Sequence, residues 1–209
     1  PYIGIVAQAD RVFSSSATTQ TITGLTNGTS YTFRIKATNA AGTGAESGAS
    51  LAVTPRSVPG APTGVSGTPG NGQVALSWTA PGDDGGAAIT GYTVTPFIGA
   101  TAQTPVVFNS TATTQTITGL TNGTAYTFKV KATNAAGTGL DSAASGAITP
   151  RTVPGAPTAV TGTPGNAQVD LSWTAPAATG GSPITGYTVT PFIGATAQTP
   201  LVFNSTATT

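Results

Sequence analysis

The chain contains no cysteine, no methionine and no histidine. Without cysteine it has neither disulfides nor thiol nucleophiles, and without histidine it has no imidazole base and lacks the commonest transition-metal ligand. Hydrolytic triads are therefore excluded, and the six dispersed acidic residues do not form the carboxylate pair that acid-base catalysis needs. We expect no enzyme activity, no catalytic residue, no cofactor and no metal site. Stability must come from core burial.

Charge is also scarce. Charged residues make up 6% of the chain, and seven Lys and Arg residues against six Asp and Glu residues give a net charge of +1. So few basic residues cannot neutralise a row of phosphates or hold an anionic membrane, which excludes nucleic acid as a partner. No apolar run reaches the ~18 residues of a membrane span, so we expect no membrane insertion. The chain starts at Pro1 without a signal peptide, and we expect it to be an excerpt of a longer protein.

A repeat of 95 residues is the main positive feature, since Trp78 is followed by Trp173 and 173 − 78 = 95. Residues 59–114 match 154–209 at 46 of 56 positions, and residues 1–58 match 96–153 at 41 of 58. Such near-identity indicates copies of one module.

The repeat divides the chain into three parts. Residues 1–54 are interpreted as the C-terminal part of one repeat, 58–149 as a complete repeat and 154–209 as the N-terminal part of a third. Proline-rich stretches at 55–62 and 150–157 separate them, and we expect them to stiffen the connections.

Within the complete repeat the apolar pattern has a period of two. Residues 73–79 and 125–133 alternate apolar and polar side chains, and threonine, at 43 of 209 positions, favours extended structure. This pattern and the Gly, Pro and Asn turn clusters between segments predict seven strands and an all-β fold, with strands at 62–67, 73–79, 90–96, 104–108, 114–118, 125–133 and 143–149. The predicted core consists of Val74, Leu76, Trp78, Tyr92, Val94, Leu120, Tyr126, Phe128 and Val130.

Three segments resemble the fibronectin type III module: QVALSWTAP at 73–81, ITGYTV at 89–94 and GLTNGTAYTFKVKATNAAGTG at 119–139. In the last, Leu120 and Tyr126 have the spacing of the family's tyrosine corner. The resemblance implies tandem seven-stranded sandwiches, with termini at opposite poles and copies chained end to end. The length of a strand of roughly ten residues, at ~3.4 Å each, gives an expected axial repeat of about 35 Å. The sequence of the repeats is similar to that of bacterial secreted or surface members of the family, which implies an extracellular or cell-surface location. The family's Arg-Gly-Asp adhesion motif is absent.

Four groups of residues are candidate sites. The carboxylates of Asp83 and Asp84 could bind calcium, but the next copy has Ala178 and Thr179 there, which favours a solvated turn. The basic pair Lys129 and Lys131, with Arg34 and Lys36 in the preceding copy, could contact an acidic polymer, and the preferred interpretation is a solubilising face. Trp78 and Trp173 could stack sugars, but their alternation places them in the core. N-glycosylation motifs, with O-linked sugar on threonine as an equal alternative, occur at Asn27, Asn109, Asn122 and Asn204.

The sequence therefore predicts a structural module of an extracellular filament, stalk or surface spacer. The alternative is a binding protein, either an adhesin or an accessory module of a secreted polysaccharide-degrading enzyme. The partners expected are neighbouring copies, with polysaccharide as a second class. The two end parts each carry an apolar face without its cover, the first with Tyr31, Phe33 and Ile35 and the last with Val169, Leu171 and Trp173. We expect a neighbouring copy's 154–209 to complete 1–54, by continuation of the filament or by strand exchange.

Overall fold

The computed structural model describes residues 1–209, and it contains strands and turns without any helix. It therefore has no helix long and apolar enough to cross a membrane. The predicted all-β class is confirmed. The central repeat carries the strands β6 (Thr63–Gly70), β7 (Gln73–Thr79), β8 (Gly91–Ile98), β9 (Thr101–Ala102), β10 (Val106–Phe108), β11 (Thr114–Thr118), β12 (Thr127–Asn134) and β13 (Gly137–Thr138).

These strands form two antiparallel sheets. One has the order β11-β7-β6, and the other has the order β10-β8-β12-β13 with β9 paired to β8. Side chains alternate in and out along β7 and β12, as a period of two requires. The inward sets of the two sheets meet in one core cluster, which is the arrangement of a β-sandwich.

The core agrees closely with the predicted one. Trp78 of β7 is 5% exposed and packs edge to face on Tyr92 of β8, with ring centroids 5.1 Å apart. This contact joins the two sheets. Leu120 is a correction, because it is only partly buried against the cluster. Ile117 of β11, which was not predicted, is fully buried instead.

The predicted strand at 143–149 is wrong as a regular strand. Only an isolated bridge between Tyr126 and Ile148 is formed there. Along the rest of this edge the hydroxyls of Ser142 and Ser145 accept hydrogen bonds from the main-chain N–H groups of Val130 and Phe128, both at 3.0 Å. Serine side chains thus replace main-chain carbonyls as acceptors, so residues 139–148 follow β12 without a regular ladder.

The predicted strand at 104–108 begins two residues late, at Val106, because Pro105 has no N–H to donate. The tyrosine corner is present. The hydroxyl of Tyr126 accepts a hydrogen bond of 3.1 Å from the N–H of Thr121, and Tyr31 makes the same bond with Thr26 at 3.0 Å.

The two end parts form smaller sheets. Residues 1–54 carry β1 (Tyr2–Ile3), β2 (Val6–Ala7), β3 (Tyr31–Thr32), β4 (Thr38–Asn39) and β5 (Gly42–Thr43). Residues 154–209 carry β14 (Thr158–Gly165), β15 (Gln168–Thr174), β16 (Tyr187–Val189), β17 (Phe192–Ile193), β18 (Thr196–Ala197) and β19 (Leu201–Phe203). No strand of the first part pairs with a strand of the last. The expectation that Tyr31 lies on an uncovered face is wrong, because the tyrosine corner of the first part leaves it 5% exposed, as Tyr126 is. The prediction that Trp173 lies in the core, as Trp78 does, is also wrong, because Trp173 is only half-buried where the second half of its sandwich is missing.

Candidate functional site: the junctions between repeats

The residues that join one repeat to the next form the best-defined candidate site. At the first junction the linker carbonyl of Pro55 accepts a hydrogen bond of 3.0 Å from the N–H of Gly28, in the turn before β3. Two residues later, the N–H of Ser57 donates to the carbonyl of Gly85, in the β7–β8 turn, at 2.9 Å. The linker is therefore bonded to the repeat before it and to the repeat after it.

The second junction has the same bonds at positions 95 residues further along. The carbonyl of Pro150 accepts from the N–H of Gly123 at 2.9 Å, and the N–H of Thr152 donates to the carbonyl of Gly180 at 2.8 Å. The N–H of Arg151 also donates to the carbonyl of Gly70 in the preceding repeat, at 3.0 Å. Two independent copies of the linker thus adopt one hydrogen-bonded conformation.

A buried asparagine organises the entry pole of the complete repeat. Asn134, at the end of β12, is 4% exposed. Its side-chain NH₂ donates to the carbonyl of Ser57 in the linker at 2.8 Å and to that of Asp84 at 2.6 Å. Its side-chain oxygen accepts from the N–H groups of Ala136 and Gly137. One amide therefore ties the linker, the β7–β8 turn and the β12–β13 turn together.

The carboxylates of Asp83 and Asp84 lie at this junction, where they cap the β7–β8 turn. Asp83 accepts a hydrogen bond from the N–H of Gly85, and Asp84 accepts one from the N–H of Gly86, both at 2.8 Å. Each is a side-chain-to-backbone bond to the residue two positions on, which is how aspartate stabilises a turn. The turn interpretation therefore has a geometric basis, and the absence of a metal here remains a prediction.

The basic residues of the outer sheet face have acidic or aromatic partners. Lys131 forms an ion pair with Asp141 at 3.6 Å, and Lys129 lies over the ring of Phe97, 5.3 Å from its centroid. In the preceding copy Arg34 lies 5.4 Å from the centroid of the Tyr2 ring.

Glu46 pairs with both basic residues of that copy, with Lys36 at 3.3 Å and with Arg34 at 3.5 Å. The hydrogen bond from the Lys36 ammonium holds the pKa of the Glu46 carboxyl below its usual value. An acidic polymer would have to compete with these partners, and the solubilising interpretation remains a prediction.

Two of the four predicted glycosylation asparagines have hydrogen-bonded side chains, Asn27 with the linker and Asn122 within its own repeat. Asn27 donates to the hydroxyl of Ser57 at 3.1 Å. Asn122 accepts from the N–H of Gly72 and donates to the side chain of Asn71, both at 2.8 Å. Asn109 and Asn204 are exposed. Trp78 lies in the core, and Trp173 packs edge to face on Tyr187 with centroids 5.0 Å apart.

Sequence reasoning missed the glycines and the buried asparagine of the junction. A signal for the glycines was available. Between the two copies of the β7–β8 turn, 82–84 changes from Gly-Asp-Asp to Ala-Ala-Thr at 177–179, whereas Gly85 and Gly86 remain glycine as Gly180 and Gly181. Asn134 gave no local signal, because the linker and the turn that it joins are distant in sequence.

The fold and the junctions define a class of protein, the tandem array of antiparallel β-sandwiches. The profile of the fibronectin type III domain matches residues 5–53 and 60–147. The chain belongs to the fibronectin type III family.

Curated relatives include bacterial enzymes. Chitinase A1 of Niallia circulans is 42% identical over 69% of this chain and 20% of its own length. Exoglucanase B of Cellulomonas fimi is 35% identical over 87% of this chain and 17% of its own length. The chain thus spans about a fifth of each. Among solved structures, domains A168–A170 of titin align over 60% of this chain and 42% of that one, with 26% identity and a TM-score of 0.46.

Proposed function

We propose that this chain is a non-catalytic spacer of an extracellular bacterial protein, in which repeats are chained end to end at a defined separation. One observation carries the proposal: both linkers are hydrogen-bonded to the repeats on either side in the same way. A linker that merely tethers domains has no need of such bonds, whereas a spacer of defined length does.

The bacterial relatives support an extracellular location and indicate the kind of protein in which such a spacer would occur. Their names are those of enzymes that act on chitin and glucan polymers, which lie outside the cell. In such a protein a spacer would separate the catalytic part from another part of the same chain. The basic side chains of the outer face already have partners, and the indole of Trp78 is buried, so neither offers an evident polysaccharide site.

Sedimentation with insoluble polysaccharide separates the spacer from the accessory binding module. The whole chain is mixed with crystalline chitin and with cellulose and then centrifuged. A spacer stays in the supernatant at the level measured without polymer. Saturable loss of the chain into the pellet would favour the accessory binding module instead.

The second candidate function is self-assembly into a filament with second copies of this chain. In residues 1–54, Ile35 is 74% exposed, whereas its equivalent Val130 in the complete repeat is fully buried. In residues 154–209, Val169 is 58% exposed, whereas its equivalent Val74 is fully buried. In the complete repeat, faces with these residues cover one another, so 154–209 of one copy could cover 1–54 of the next.

Light scattering at increasing concentration tests this candidate. Assembly predicts a mass that rises with concentration. It also predicts that Ile35→Lys abolishes the rise, because a charge would be buried without a partner. A monomeric mass at every concentration would contradict the filament and leave the spacer unaffected.

A further inference from the structure

A pair of glycines from neighbouring repeats lies in contact at each junction. Gly28 meets Gly86 at the first junction, and Gly123 meets Gly181 at the second. A Cβ atom on Gly28 would lie 3.1 Å from the Cα of Gly86, and one on Gly123 would lie 3.1 Å from the Cα of Gly181. Carbon atoms normally pack at about 3.5–4.0 Å, so a side chain on Gly28 or Gly123 would push the facing backbone away by a few tenths of an ångström.

The partner glycines are more tightly enclosed still. A Cβ atom on Gly86 would overlap the main-chain nitrogen of Gly28, and one on Gly181 would overlap that of Gly123. The adjacent Gly85 and Gly180 are enclosed by the linker, since a Cβ on either would overlap the carbonyl oxygen of Ser57 or Thr152. Obstruction by backbone cannot be relieved by a rotamer change.

The two copies of the β7–β8 turn differ at the three positions before the glycine pair and agree at the pair itself. A Cβ atom on Gly82 would meet nothing within 4 Å, and the next copy has Ala177 there. Positions 83 and 84 also change, to Ala178 and Thr179. The glycine pair that follows is the same in both copies, although the turn tolerates substitution at the three positions before it.

We propose that the glycine–glycine contact is a lock that holds successive repeats at one angle, the same at every junction. Rotation of one repeat about the linker would drive the two turns into each other or break the bonds of the linker to both repeats. The lock rests on the proposed spacer function and explains how a spacer of separate sandwiches keeps a constant orientation. An array of such repeats would rise and turn by the same amount at each step.

Distance measurement between spin labels tests the lock. Because the chain has no cysteine, Thr101→Cys and Thr196→Cys would be the only labelling sites, and they occupy equivalent exposed positions in two repeats. The lock predicts a single narrow distance distribution. It also predicts that Gly181→Ala shifts or broadens this distribution, because the new methyl group displaces Gly123.

Gly119→Ala is the matched control. Gly119 has a positive φ of 74°, close to the 86° of Gly181, but a Cβ there meets nothing within 4 Å. It therefore introduces backbone strain without a junction contact, and it should leave the distribution as narrow as in the parent chain. Ala177→Gly, in the same turn as Gly181, should also have no effect.

Each outcome decides a separate point. A broad distribution in the parent chain would overturn both the lock and the fixed-length spacer. A narrow distribution that Gly181→Ala leaves unchanged would overturn the lock but not the proposed spacer function.

A second pair of labels, at Thr163→Cys and Thr196→Cys, measures a distance within the third repeat and reports whether that repeat keeps its fold.

If the Gly181→Ala variant loses that internal distance, the first junction decides the question. At that junction, the distance between labels at Val6→Cys and Thr101→Cys is measured with and without Gly86→Ala. A narrow distance distribution that Gly86→Ala leaves unchanged overturns the lock.

Discussion

Replacement of Trp78 by alanine should cause the largest loss of stability of any single truncation in the complete repeat. The indole is 5% exposed and joins the two sheets through Tyr92. A buried aromatic side chain removes about 150–250 Å² from water, which at about 25 cal/mol per Å² corresponds to about 4–6 kcal/mol as an upper bound. Tryptophan truncations in cores cost about 3–5 kcal/mol, so we expect a loss in that range.

The assay is guanidinium unfolding followed by far-UV circular dichroism. Tryptophan fluorescence cannot follow the complete repeat in this variant, because Trp78 is the only tryptophan of that repeat. A loss of 3–5 kcal/mol is a large part of the roughly 5–15 kcal/mol that stabilises a domain, so the midpoint should move far. Trp173→Ala is the control, because Trp173 is only half-buried and lies outside the complete repeat. It should leave the main transition in place. A loss below about 1 kcal/mol for Trp78→Ala would refute the packing argument.

Three further predictions concern the polar groups of the complete repeat. Ser145→Ala should cost about 1–3 kcal/mol in thermal unfolding, because it leaves the buried N–H of Phe128 unpaired, whereas Ser50→Ala, which removes the same bond in an exposed setting, should cost less. Tyr126→Phe should cost about 1 kcal/mol and speed hydrogen exchange at the N–H of Thr121; unchanged exchange would contradict the tyrosine corner. Burial raises the pKa of Tyr92 above 10.0, so the native state keeps a proton that the unfolded state loses. Stability should therefore fall as the pH rises above about 10, and Tyr92→Phe should reduce that fall.

Period-two patterns predicted most of the sandwich. The strands at 73–79 and 114–118 are observed with those bounds as β7 and β11. In β7 strict alternation fixes which side chains face the core, whereas β11 has a single apolar residue, Ile117, whose burial was not predicted. The edge at 143–149 could not be predicted in the same way. There the acceptors are two serine hydroxyls, and a pattern of apolar residues carries no information about them.

The junction was beyond local patterns for a different reason. Gly28 and Gly86 touch across two repeats, and they are 86 − 28 = 58 residues apart in the chain. Each lies in an ordinary glycine turn, so nothing nearby distinguishes a glycine needed for contact from one needed only for its backbone angle. A comparison of copies helps only in part, because Gly82 changes to Ala177 next to the retained pair, whereas Gly99, which has no contact, is also retained as Gly194.

The central claim is that each repeat adds a constant length to the maximum dimension of the chain. Small-angle X-ray scattering on chains with different numbers of repeats tests this claim directly. One, two or three extra copies of residues 55–149 are inserted after residue 149. A spacer with locked junctions predicts that the maximum dimension rises linearly, by about 35 Å for each copy, the length of a strand of about ten residues. A rise that follows the square root of the repeat number would contradict the account, because that is how freely jointed units extend.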